Sequence, residues 1–230
     1  MRFSRVFLNR LNSQPDAADT VVVVDVLRSF TTAAVALARG ASAVYPVEGL
    51  VEAIGLRGRI ENSVSVGAIA GGDPAPGFDF GNSPSTLASV DLAERPVVLC
   101  SAAGVRALHR FRKARQLFAT SLVCARATAQ AIRAASAGNV CFVITGEWVD
   151  RDGDEDIACA DYIEALLCGE TVATNIFSLR VRNSDFGQRF TAGTSPSLPL
   201  ADLDLAAEAD LFGFAMPVQS EGEQLVIRYA

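Results

Sequence analysis

Residues 20–27 read Thr-Val-Val-Val-Val-Asp-Val-Leu, an aliphatic run whose first interruption is Asp25. A strand with one wet face alternates polar and apolar side chains, whereas an unbroken β-branched run marks a strand covered on both faces. A central parallel strand is therefore expected here. Working outward, Ser29 or Thr31 offers an N-cap for a helix through Arg39, Gly40 offers its stop, and residues 43–47 offer the next strand. That is one strand-helix-strand unit. The order recurs at PVVLC (96–100), leading through 101–104 into a helix to Arg110, and at VCFVIT (140–145), leading through an acidic loop into a helix over 156–168. Three such junctions predict an α/β fold, layered α/β/α around a mostly parallel or mixed sheet, with two similar halves as one way to build it. A strand at 2–8, an Ala-rich helix over 124–137, an acidic helix over 201–210 and a terminal hairpin of 214–219 with 224–229 complete the expected elements.

The chain has 230 residues, of which 50% are hydrophobic and 20% charged. A single domain over 1–230 of this size buries ~70–75% of its unfolded surface, so no staples are needed. The net charge of -6 and the lack of a basic run argue against a nucleic-acid partner, and no segment reads as a membrane anchor. Five cysteines without a CxxC pair read as reduced thiols of a cytoplasmic protein. His109 is the only histidine, which removes histidine metal sites and Ser-His-Asp triads.

Ligands of open α/β sheets sit beyond the carboxyl ends of the strands. The first junction places Asp25 there, with Arg28 three residues later. A carboxylate after four valines must be paired, metal-bound or at the wet tip of its strand, because burying it alone is too costly. An Asp25–Arg28 ion pair or a helix cap is the structural alternative. The haloacid-dehalogenase pattern needs a second acid two residues on, where Leu27 stands, and an isochorismatase-like reading founders on the exposed setting of Lys113. The second junction, Cys100 to Arg106, has the Cys-x5-Arg spacing of cysteine-dependent phosphatases, against Cys100 being simply a buried strand-end residue. The third carries Glu147, Asp150, Asp152, Asp154, Glu155 and Asp156, enough oxygens for a hard cation or for a solvated acidic loop. Between the first two junctions, GGDPAPGFDFGNSP (71–84) is too rich in Gly and Pro to be regular and long enough to bind something.

Taken in order, VVVVDVLRS (21–29), GFDFGNSP (77–84), Gly104 with Arg106, and Glu155-Asp156 before Cys159-Ala160 resemble the landmarks of the 2-phosphosulfolactate phosphatase family. The resemblance implies an α/β phosphatase that uses Mg2+ to remove phosphate from 2-phospho-3-sulfolactate on the route to coenzyme M. It also counts against a cysteine nucleophile, since the family position matching Cys100 is typically threonine. Carried onto this chain, Asp25, Glu155 and Asp156 would hold Mg2+, while Arg28 and Arg106 bind the dianion. Asn82 and Ser83 would donate to it, and Asp79 would orient a ligand or act as acid or base. A sulfonate would need another cation, Arg180 or Arg182. The expected partner is a small anionic phosphoester, and a homodimer is allowed. Asp25→Asn is expected to damage turnover far more than folding. Three departures stand out: Gly71-Gly72-Asp73 lacks the family's Glu and Arg, 103–106 reads Ala-Gly-Val-Arg for Asn-Gly-Thr-Arg, and Asp161 replaces a glycine. A noncatalytic or substrate-shifted relative that keeps the anion pocket is the alternative.

Overall fold

A computed structural model describes residues 1–10, 19–68, 73–136 and 138–229. The Gly71-Gly72 departure and Ala137 lie outside the described residues. The strands are β1 (Arg2–Phe7), β2 (Thr20–Val24), β3 (Ala43–Val47), β4 (Val64–Gly67), β5 (Pro96–Cys100), β6 (Gln116–Thr120), β7 (Asn139–Ile144), β8 (Met216–Glu221) and β9 (Gln224–Ile227). The helices are α1 (Ser29–Ala38), α2 (Leu50–Arg59), α3 (Pro84–Leu87), α4 (Gly104–Arg110), α5 (Ala125–Ala134), α6 (Asp154–Cys168), α7 (Thr174–Asn183), α8 (Asp185–Thr191) and α9 (Leu200–Ala206). Among the described residues no helix is long and apolar enough to cross a membrane.

The strands form one nine-stranded sheet in the order β1-β7-β2-β6-β8-β9-β3-β5-β4. It has two parallel blocks, β1-β7-β2-β6 and β3-β5-β4, joined by the antiparallel hairpin β8-β9. The terminal hairpin is thus the seam between the blocks, touching β6 on one side and β3 on the other. β2 sits between β7 and β6 in full parallel register, as its composition demands. Its side chains divide by the period of two: Val21 and Val23 enter one core cluster with α1 and α4, Val22 and Val24 another with α5, α6 and α7. The first cluster runs across both blocks, and a smaller third one lies under α2. Helices therefore cover both faces of a mixed sheet, in agreement with the layered α/β expectation.

Two local expectations change. The strand stops at Val24 rather than Leu27, and neither Ser29 nor Thr31 caps α1. The Asp25 carboxylate accepts from Ser29 N at 2.9 Å instead, so the chain must leave the sheet at Asp25 to bring that side chain to the helix mouth. The supposed strand-helix-strand unit also separates. Both edges of β2 are taken by β6 and β7, so α1 carries the chain to the other block, where β3 pairs with β5.

Candidate active site

Three acids gather at the carboxyl ends of β2 and β7. Asp25 is 5% exposed and has both oxygens on amides: Oδ1 on Ser29 N, Oδ2 on Gly104 N at 3.1 Å. The second bond needs a glycine, because a Cβ on Gly104 would stand 2.6 Å from Oδ2 and 2.9 Å from the Phe30 ring. Asp156, in the first turn of α6, takes Val26 N at 2.8 Å on Oδ1, and on Oδ2 Thr145 N at 3.0 Å and Gly146 N at 2.7 Å. The Thr145 hydroxyl adds a contact at 3.2 Å. Asp156 thereby pins the loop after β7 to the loop after β2, and Asp25 pins the latter to α4. The loop after β5 joins them through Ser29 Oγ and Ser101 Oγ, 2.6 Å apart. All three junctions read from the sequence meet here.

Glu155 is different. It is 1% exposed, yet neither carboxylate oxygen has a hydrogen-bond partner among the described residues. It packs against Gly146 so closely that any Cβ there would overlap Oε1. The nearby Ser184 hydroxyl favours the charged form but gives its own proton to Val181 O at 3.1 Å. Burial raises the Glu155 carboxyl to about 7, and Arg151 is the cation whose field opposes that rise. Burial likewise raises Asp25, and Asp156 stands well above the ordinary value through burial and the charges of Glu155 and Asp25. Among the described residues no group of three or more acid, histidine or cysteine side chains is placed to hold an ion by itself. Asp25 and Asp156 turn their oxygens to backbone amides, and of the three acids only Glu155 has both oxygens without a hydrogen bond.

The rest of the acidic loop is the bland case. Glu147 pairs with Arg10, Asp150 with Arg189 at 2.7 Å, and Asp154 with Arg180. Asp152 and Asp185 accept from each other's amides at 3.2 and 3.0 Å. Arg151 alone among the charged residues of this cleft has no acid partner or side-chain hydrogen bond among the described residues; it lies over the Phe186 ring at 4.9 Å. The sequence did not single it out. Its one signal was its place four residues before Glu155.

The expected anion ligands are scattered differently. Arg28 is buried and bonds Asp202 at 2.8 Å and Ser197 O at 2.9 Å, so the Asp25–Arg28 pair does not form. Ser83 caps α3 and donates to the same Asp202 at 2.8 Å, while Asn82 Oδ1 is buried without a partner. Asp202 stands 174 residues from Arg28, so no local spacing announces the pair. Arg106 is exposed at the start of α4 and donates to Asn9 at 3.1 Å. Asp79 turns to the β4 side, where it accepts from Ser65 N and Ser65 Oγ at 2.8 Å and from Arg57 at 3.2 Å. Partial burial raises that carboxyl, but the Arg57 and Ser65 bonds outweigh it and hold it below its ordinary value, a poor setting for a general acid. Arg180 and Arg182 are tied to Asp154, Asp161 and Asp204 and are not spare cations. Cys100 points at Glu48 O, 3.8 Å away, and burial with the Glu52 charge pushes its thiol up, the opposite of a thiolate nucleophile.

Against known proteins, the family model described as 2-phosphosulpholactate phosphatase matches residues 7–188. A Bacillus subtilis (strain 168) protein named probable 2-phosphosulfolactate phosphatase is 29% identical over 207 residues, 90% of each chain. Proteins with the same name from Carboxydothermus hydrogenoformans and Gloeobacter violaceus are 39% and 36% identical; the aligned segments cover 69% and 66% of this chain and 63% and 64% of theirs.

Two outcomes follow from the buried acids. Glu155 binds its proton more tightly in the folded chain, with a value of about 7 against 4.5 for an ordinary glutamate. Metal-free protein is therefore fully stabilised below pH ~4.5 and loses that contribution as pH rises through ~7. Melting temperatures across this window should fall with pH, and Glu155→Gln should flatten the fall, with the remainder coming from Asp25 and Asp156. A slope unchanged in Glu155→Gln would refute the assignment. Asp25→Asn, contrary to the sequence-based expectation, should cost stability as well, about 1–3 kcal/mol by denaturant titration, since its NH2 must face one of two amide donors.

Proposed function

This chain belongs to the 2-phosphosulpholactate phosphatase family, and from that premise we propose that it is a Mg2+-dependent hydrolase of a small anionic phosphomonoester, 2-phospho-3-sulfolactate giving 3-sulfolactate and phosphate. The observation that carries the reading is Glu155: a buried carboxylate with two unpartnered oxygens, beside two acids already satisfied. The donor set suits magnesium in a particular way. Mg2+ keeps several waters and is commonly held by one or two carboxylates plus substrate phosphate, rather than by an all-protein cage. Glu155 is the residue that would hold it, with Asp25 and Asp156 contributing negative field and whatever lone pairs their amide bonds leave. When bound, the ion supplies charge neutralisation on phosphate oxygens and an activated water.

This chain's own residues do the remaining work. Asp25 and Asp156 fix the loops after β2 and β7 so that Glu155 cannot swing away. Arg28 offers the guanidinium donors that Asp202 and Ser197 leave over, and Arg151 brings a cation whose field reaches Glu155 and Asp25. Planar guanidinium groups match phosphate oxygens in bidentate fashion. Asp79 keeps to the loop it braces, and the phosphatase reading assigns it no proton. Five unbridged thiols suit a reducing, cytoplasmic setting.

Phosphate release from 2-phosphosulfolactate and a panel of small phosphoesters should appear with Mg2+, vanish with EDTA and return when Mg2+ is restored. Release that ignores EDTA would overturn the metal, and binding of phosphate without turnover would leave a noncatalytic relative. Cys100→Ser should retain most of the activity, because its thiol is turned to Glu48; near-complete loss would instead restore the cysteine mechanism.

A further inference from the structure

We propose that Asp202, which lies beyond the segment matched by the family model, is the positioning residue that orients Arg28 and the 81–85 turn toward the phosphate. The inference rests on the phosphatase reading above. Asp202 stands in the first turn of α9 and is 0% exposed. One oxygen faces Arg28 Nη1 at 2.8 Å. The other collects Ser83 Oγ at 2.8 Å, Ser85 N at 2.9 Å and Ser85 Oγ at 2.5 Å. A single buried carboxylate thus couples the residue that follows Leu27 to the turn that begins α3.

The geometry on the Arg28 side shows what this coupling holds in place. Both N–H bonds of Nη1 are taken, by Asp202 and by Ser197 O, and the Phe190 ring lies 5.5 Å from the guanidinium carbon. Nε and Nη2 make no hydrogen bond among the described residues, and neither is among the fully enclosed unpartnered atoms. In the proposed site they are the donors left for phosphate, on a fork held from the Nη1 side. Asn82 Oδ1, in the same turn as Ser83, is buried without a partner, so the turn too presents a polar atom that the protein does not satisfy. A guanidinium buried to this extent without a counter-charge would leave its site for solvent. Asp202 keeps Arg28 in position before any anion arrives.

Asp202→Asn tests this. Three serine donors on Oδ1 hold the amide oxygen where it is, so the NH2 must face Arg28 Nη1, donor against donor. Arg28 is then displaced although the side chain keeps its shape. The measurement is the Kd of inorganic phosphate by titration calorimetry in the presence of Mg2+, for the parent, Arg28→Gln, Asp202→Asn and the double variant. Asp202→Asn should weaken phosphate at least tenfold. The double variant should be no weaker than Arg28→Gln alone, because Asp202 acts through Arg28. A purely structural ion pair would lower the melting temperature and leave the Kd of the folded fraction unchanged. Phosphate binding by folded Asp202→Asn as tight as in the parent, or tighter, overturns the proposal, and so do additive losses in the double variant. Should Asp202→Asn fail to fold, Ser85→Ala removes one support of the same oxygen and should weaken phosphate several-fold; an unchanged Kd there overturns it equally. A parent that binds no phosphate overturns the phosphate site itself and this role with it. A parent that binds phosphate, is weakened by Arg28→Gln and is matched by Asp202→Asn overturns Asp202 alone.

Discussion

Five backbone amides converge on two buried carboxylates, and the architecture around the cleft depends on those bonds. Asp25 and Asp156 stand where an aliphatic strand and an acidic helix would otherwise have no common geometry. Each N–H lost to water on folding would be costly, as would each carboxylate, and charged acceptors make the strongest such pairs. Ser29 N and Gly104 N hold α1 and α4 to the end of β2, while Val26 N, Thr145 N and Gly146 N hold that end to the loop leaving β7. Gly104 and Gly146 are required by this packing, since a side chain at either would collide with a carboxylate.

The same bonds explain what could be read from the sequence. Asp25 was legible because a carboxylate after four valines must be met by something. What meets it was not legible, since amides leave no mark in residue identity and Gly104 is 79 residues away. The strands of β2, β5 and β7 announced themselves by continuous apolar runs. β6 did not: QLFAT is five residues between a basic segment and a serine turn, too short to separate from a buried helix turn by pattern. β4, α2, α7 and α8 were lost for like reasons; α2, with Leu50, Val51 and Ile54 exposed, shows little amphipathic pattern. The hairpin was found, but its place as the seam between two parallel blocks depends on long-range pairing.

Charge was the hardest layer to read. Nineteen arginines in one chain make any Arg three or four residues from an acid look like a pair, and the real partners lie far apart. Arg28 meets Asp202, and Arg10 meets Glu147 across 137 residues. The six acids of the third junction looked alike in sequence and separate cleanly in space: those in the loop find arginines or amides at the surface, whereas Glu155 and Asp156 turn inward with α6.

Adjacent on that helix, Glu155 and Asp156 face opposite fates, and the difference follows from geometry. Asp156 has the shorter side chain and reaches the amides of the β7 loop, so that both of its oxygens accept hydrogen bonds. Glu155, one methylene longer, is held against Gly146 with neither oxygen hydrogen-bonded, the nearby Ser184 hydroxyl donating to Val181 O instead. Burying it there raises its proton affinity and costs stability once it ionises, the Asp152 charge adding to the rise while its own amide, the Ser184 hydroxyl and the field of Arg151 oppose it. A fold stabilised elsewhere by satisfied carboxylates gains nothing structural from one left open. Under the proposed phosphatase reading a cationic ligand would account for the open Glu155 oxygens, with the lone pairs that Asp25 and Asp156 keep beside it.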